Sequence, residues 1–208
     1  MRQNGENFNP LISVVVPTLH RDAPLRTLLW YFLERESYRP FELIVIDQSE
    51  RHDQETTDFL SSSANRMKYV RVDYKSLPMA RNHGIRIASW SIVVFIDDDA
   101  EPAPGFLAAH VAPYASPQVM GVTGPILAPD QPLLSQGDIA NRHYTALLSG
   151  AEMWFCVDFA FHASWAAGGN MSFRREIIER VGGFDENFYG VALGEMLNFL
   201  TGSRKPGG

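Results

Sequence analysis

At 208 residues, 45% of them hydrophobic and 20% charged, the chain is long enough to bury one sizeable core in the manner of an ordinary soluble domain. A net charge of −6 with no dense Lys/Arg run argues against a nucleic-acid surface, but leaves room for a phosphate-bearing small molecule held by a few local cations. The single cysteine, Cys156, excludes an intramolecular disulfide and reads as packing in a reducing compartment, and the polar start MRQNGENFNP has no apolar signal-peptide core.

In chain order, residues 11–16 (LISVVV) form a β-branched run that stops at Pro17, predicting a buried strand that empties into the loop from Pro17 to Arg21. Asp22 is placed to cap a helix from Pro24 to about Glu36. Leu25, Leu28, Leu29 and Phe32 recur there at helical spacing, leaving Arg26, Glu34 and Arg35 for solvent. Residues 41–46 (FELIVI) predict a second buried strand ending in Asp47, followed by a weaker helix near 54–62. The alternating stretch 67–72 predicts a third strand, and 78–88 a helix.

Residues 91–96 are the fourth strand, whose apolar run continues without a break into Asp97, Asp98 and Asp99. Strands alternating with helices predict an α/β sandwich with a mainly parallel sheet, whose ligand lies outside the carboxyl ends of the strands. Thr18, Asp47 and the three consecutive aspartates all fall at such ends. Crowded carboxylates repel one another, rise in pKa and favour a cation, such as a divalent metal carrying a diphosphate. The same stretch also reads as a solvated acidic turn.

Further on, residues 106–114 predict a short helix, 119–123 a strand, 125–137 a loop, 141–149 a helix, and 154–161 an aromatic strand that serves either the core or a sugar-stacking surface. The apolar stretch 154–167 is interrupted by Asp158 and His162 and is too short to cross a bilayer, so any membrane association is peripheral. Gly168, Gly169 and Asn170 read as a tight turn or as a close backbone approach to a ligand. A helix over 174–181 is stopped by Gly182 and Gly183, and Asp185 and Glu186 then read as a turn. Six histidines show no paired metal spacing, and neither a Walker loop nor GxGxxG is present.

Five stretches, taken together and in order, resemble the family 2 glycosyltransferases: VVVPTLHR (14–21), ELIVIDQS (42–49), MARNHGI (79–85), VVFIDDD (93–99), and GGNMSFRR with GGFDE (168–186). The resemblance implies a GT-A (Rossmann-like) three-layer sandwich spanning residues 1–208 as a single domain, and a metal-dependent, inverting transfer of sugar from a nucleotide-diphosphate donor to a hydroxyl. It implies that Pro17, Thr18, Asp47, Arg81, Asp97 and Asp98 line the nucleotide-sugar site. Thr18 would lie near base or ribose, Asp47 at a base edge and Arg81 near the diphosphate or base. Asp97 and Asp99 would form the DxD pair, with Asp99 on Mg²⁺ or Mn²⁺. For Arg81, a surface salt bridge from a helix is the competing reading. The implied acceptor is a carbohydrate, a lipid-linked molecule or a protein, in polysaccharide biosynthesis, and the implied place is the cytoplasm or the inner face of the membrane.

The sequence departs from that pattern after GGFDE, where the family continues to a Glu-Asp pair whose Asp is the base. Glu195 is retained and is the catalytic candidate, but Met196 stands in the place of the Asp, and a thioether accepts no proton at neutral pH. Three readings follow: Glu195 is the base, the chain is shortened or altered at its C-terminus, or it is a nucleotide-sugar-binding module without turnover. The early end of the chain favours the second. A nucleotidyltransferase, which also pairs acidic residues with metal, is a weaker rival.

Overall fold

Six strands assemble one sheet: β1 (Ile12–Thr18), β2 (Phe41–Asp47), β3 (Lys68–Arg71), β4 (Ile92–Ile96), β5 (Gly121–Thr123) and β6 (Asn170–Arg174). Their order is β3-β2-β1-β4-β6-β5, with β1 to β4 mutually parallel and β6 antiparallel to both β4 and β5. The computed structural model describes residues 9–127 and 168–187, together with 133, 135, 136 and 166. The expected helix over 141–149, the aromatic stretch over 154–161, most of the loop over 125–137, Cys156, Glu195 and Met196 lie outside the described residues.

The period of two along each strand divides the core between the sheet's faces. Val14, Val16, Leu43, Val45, Val94 and Ile96 point one way, under α1 (Asp22–Trp30), α2 (Gln54–Ser62) and, further along the chain, α4 (Phe106–Val111). Val15, Ile44, Ile46, Val93 and Phe95 point the other way, under α3 (Leu77–Ile87) and α5 (Arg175–Val181). This is a three-layer α/β sandwich with a mainly parallel sheet, the GT-A arrangement expected. Both faces of the central strands are covered, which is why they read as continuous apolar runs rather than alternating ones.

Local differences have local causes. β1 does not stop at Pro17 but runs through it to Thr18, pairing Pro17 with Ile46 and Thr18 with Asp47. Thr18 O accepts from Gln48 N on the β2 side. Pro17 therefore turns its missing donor to the opposite side, beyond the last β1–β4 pair at Val15 and Phe95, where no ladder bond is lost. α1 begins at Asp22, with Arg21 at the cap position, and passes after Trp30 into a π-helical turn, Tyr31–Arg35. Asp22 does not cap, because its carboxylate is taken by His52. The helix expected over 106–114 is α4 followed by a 3-10 turn, Ala112–Ala115, and the strand expected from 119 begins at Gly121. β6 has no counterpart among the expected elements, and it begins at Asn170, the last residue of the expected turn. Asp185 Oδ1 accepts from Asn187 N, 3.0 Å, so the Asp-Glu pair after Gly183 does sit in a turn. Among the described residues, no helix is long and apolar enough to cross a membrane.

Candidate functional site

The strand order reverses at β1, which has β2 on one side and β4 on the other, and this opens a crevice beyond their carboxyl ends. The acidic exit of β4 meets the end of β1 there. Thr18, buried at the end of β1, donates its hydroxyl to Asp98 Oδ2 at 2.6 Å. Arg21 pairs with Asp99 and places its Nε 3.8 Å from Asp98 Oδ1. Arg81, on α3, is buried, lies 3.5 Å from Asp97 Oδ1 and donates to Gly168 O at 2.9 Å. Three consecutive aspartates thus fan out to three neighbours: a buried arginine, a buried hydroxyl and a half-exposed arginine.

Burial raises the pKa of Asp97, with Arg81 opposing and Asp99 adding to the rise. Burial likewise raises Asp98, against the Thr18 hydrogen bond and Arg21. The rise expected from sequence is therefore present at Asp97 and Asp98, with burial as its main cause and the neighbouring Asp99 carboxylate as a lesser one. Burial pushes Arg81 down to about 10, which leaves it charged at neutral pH. The two glycines of GGN are dictated by this packing. A Cβ on Gly168 would come within 2.9 Å of Arg81 Nη2, and one on Gly169 would overlap the Asp97 carboxylate.

Asp47, at the end of β2, is fully buried and holds its neighbours rather than presenting a free oxygen. Its Oδ1 accepts from Ser49 N at 2.8 Å, and its Oδ2 from His52 Nε2 at 2.6 Å and from the Tyr69 hydroxyl. Burial pushes the Asp47 carboxyl up, but the hydrogen bonds from Tyr69, His52 and Ser49 outweigh it and bring the pKa below the ordinary value. His52 lies between Asp47 and Asp22; burial opposes its charge, but those two carboxylates prevail and raise its pKa. Shallow depressions flank this network. One is lined by Gln48, Ser49, Glu50, Arg71, Asp73 and Lys75, and the other by His20, Asp22, Arg51 and His52.

Thr18, Asp97 and Asp98 are thus brought into direct or near contact, Arg81 joins them from α3, and Asp47 stands one strand away. Sequence reasoning missed His52, Arg21 and Asn82. Asn82 follows Arg81 in MARNHGI and clamps the later GGFDE: its Oδ1 accepts from Phe184 N at 2.9 Å, and its Nδ2 donates to Phe184 O at 2.9 Å and to Glu186 Oε1 at 2.8 Å. Arg81 also lies over the Phe184 ring, 5.5 Å from its centroid. For Arg21 and Asn82 the only sequence signal was membership in the quoted stretches, because their partners are 78 and 102 residues away; His52 lies outside those stretches, and its role follows from its place between Asp47 and Asp22. Among the described residues, no group of three or more His, Cys, Asp or Glu converges on one point as a protein-only metal cage.

The chain matches the model described as Glycosyl transferase family 2 over residues 13–182. It is 31% identical over 206 residues to a validoxylamine A glucosyltransferase of Streptomyces hygroscopicus subsp. limoneus, covering 87% of this chain and 45% of that protein. It is 22% identical to a hyaluronan synthase of Pasteurella multocida, covering 85% of this chain and 21% of that one. The chain therefore spans less than half the length of these relatives. Its fold is that of a solved mannosyltransferase, PcManGT from Pyrobaculum calidifontis in complex with GDP-Man and Mn²⁺ (TM-score 0.64, 24% identity, 92% of this chain and 51% of that one).

Proposed function

The chain belongs to glycosyl transferase family 2, and on that premise we propose that it moves a sugar from a nucleoside-diphosphate donor to an acceptor hydroxyl, with Mg²⁺ or Mn²⁺ as cofactor and inversion at the anomeric carbon. The observation that carries this reading is the meeting of Thr18, Arg81 and the Asp97–Asp99 stretch at the reversal of strand order. The GDP-Man and Mn²⁺ named with PcManGT support the donor class and a divalent ion.

The residues fit such an ion. Asp97 and Asp99 offer hard oxygens at an accessible turn, and small divalent cations are commonly held by one or two carboxylates plus substrate phosphates, so no protein-only cage is needed. Bound there, the ion would offset the negative charge that develops on the departing nucleoside diphosphate. Asp98, anchored by Thr18, fixes the acidic turn. Arg81 adds a permanent positive charge and holds the backbone of Gly168 against the site. Pro17 and Asp47 shape the nucleoside side, and Asp47 reads a base edge by exchanging one of its present donors for a base N–H.

Glu195 is the proposed base. It would take the proton of the acceptor hydroxyl as that oxygen attacks the anomeric carbon from the face opposite the diphosphate, so that one bond forms as the other breaks and the centre inverts. The proposed acceptor is a carbohydrate, a lipid-linked molecule or a protein, met in the cytoplasm or at the inner face of the membrane.

Calorimetry tests the donor half directly. Titration with UDP, GDP and other nucleoside diphosphates should show binding that depends on Mn²⁺ or Mg²⁺, and Asp99→Asn should weaken it by more than about tenfold, as expected for loss of a charged ligand. Binding of no nucleoside diphosphate, with or without metal, would sink the reading. Met196 supports a second one, a nucleotide-sugar-binding module without turnover. That reading expects donor binding with neither transfer nor hydrolysis, and activity gained by Met196→Asp; detectable turnover in the unaltered chain rejects it.

A further inference from the structure

We propose that Arg21 is a donor-site residue with two positions: without metal its guanidinium covers Asp98 and Asp99, and with metal it yields that face to the cation and takes the donor's diphosphate. This rests on the nucleotide-sugar reading and adds to it a residue and an order of events.

The two arginines of the site differ in freedom. Arg81 is enclosed, its side chain 3% exposed, and it is committed to Asp97, to Gly168 O and to the face of Phe184. Arg21 is 49% exposed, and its main partner Asp99 is 45% exposed. An exposed ion pair of this kind is weak and exchangeable, because water and salt compete with it on both sides. Asp98 gives one oxygen to Thr18 and turns the other toward Arg21. Arg21 thus covers Asp99, one of the two carboxylates proposed for the cation, together with the outward oxygen of Asp98.

The backbone around Arg21 is anchored, while its side chain is half exposed. His20 adopts φ 57°, the left-handed region that non-glycine residues avoid, and its N–H donates to Ser49 Oγ at 2.8 Å. On the other side, Asp22 accepts from His52. Both anchors lead to Asp47, which accepts from Ser49 N and from His52. The buried network at the end of β2 therefore aims Arg21 across the crevice at the exit of β4. A pinned backbone carrying a long, solvated guanidinium suits exchange between two anionic partners.

Charge gives the order. Three carboxylates against two guanidiniums leave the cluster negative, which repels a diphosphate; a divalent cation reverses the sign. Competition for Asp99 then releases Arg21, whose planar fork matches phosphate oxygens better than an ammonium does.

The test is calorimetry on the full chain and on Arg21→Gln and Arg21→Lys, with Mn²⁺ alone and then with GDP or UDP at saturating Mn²⁺. Removing the competing cation should tighten Mn²⁺ binding by about three- to tenfold in Arg21→Gln. Losing a charge-assisted phosphate contact should weaken nucleoside diphosphate binding by about tenfold or more. Arg21→Lys, which keeps the charge and loses the fork, should leave Mn²⁺ affinity near that of the parent and lie between the others for the diphosphate; it also serves as the folded control. If the parent binds both ligands and Arg21→Gln matches it in either titration, or loses affinity for both, the two-position role is wrong while the donor reading stands. If the parent binds neither ligand, both fall.

Discussion

His110 ties the start of β6 to α4 by a chain of buried hydrogen bonds. The Tyr114 hydroxyl donates to Ser172 Oγ at 2.9 Å, Ser172 donates to His110 Nδ1 at 2.9 Å, and His110 Nε2 donates to Asn170 Oδ1 at 2.8 Å. This arrangement needs a neutral ring, and complete burial pushes the His110 pKa from 6.5 down to about 4. The unfolded chain binds a proton between those values and the folded protein does not. The contribution is therefore present above pH 6.5 and is lost as the pH falls toward 4, by up to about 3 kcal/mol. His110→Gln should flatten this dependence, measured as the difference in urea stability between pH 7 and pH 5; an unchanged difference would remove His110 as its source. Nothing in the sequence marks His110 out from the other histidines, since its partners Ser172 and Asn170 lie some sixty residues away. Asp97 to Asp99 were legible because their message is local: three carboxylates directly after a buried strand.

At the level of elements, β1 to β4 and α1 to α3 were readable from periodicity, with ends displaced by a few residues. β6 was not, since a five-residue strand has meaning only through β4 and β5, which it pairs antiparallel. The contact of α3 with β1 is equally tertiary. Gly84 lies so close to Val15 that an added Cβ would stand 3.0 Å from Val15 Cγ2 and nearer still to Cγ1. Gly84→Ala ought to gain helix propensity, yet the overlap with a fully buried strand residue should dominate. A net loss of about 1–2 kcal/mol in denaturant midpoint, at constant m-value, is expected; stabilisation would show that α3 can move off the sheet at little cost. Asn82, two positions earlier, binds the backbone at Phe184 and adds a polar tie between α3 and the turn after α5.

For the molecule as a whole, donor binding should appear as stability, because a ligand that binds only the folded state shifts unfolding by mass action. Mn²⁺ with GDP or UDP at a hundred times Kd should add about 2.7 kcal/mol, roughly 5–10 °C in Tm for a chain of this size. Asp99→Asn should lose most of that shift while keeping its ligand-free Tm; an equal shift in both proteins would place the ligand elsewhere. The sequence by itself determined the α/β class, the mainly parallel sheet, the strand exits that bear Thr18, Asp47 and the aspartates, and the resemblance that the family match bears out. Each of these rests on residues near one another in the chain, where side-chain period, β-branching and turn chemistry act directly. Only the tertiary structure decided that Asp47 is enclosed by His52, Tyr69 and Ser49, that Arg81 is buried against Asp97 and Gly168, and that Arg21 stands over Asp98 and Asp99. Those pairings join strand ends and loops separated by up to 87 residues. Burial and partner identity, which set charge and freedom at the site, arise only when the sheet brings its carboxyl edge together.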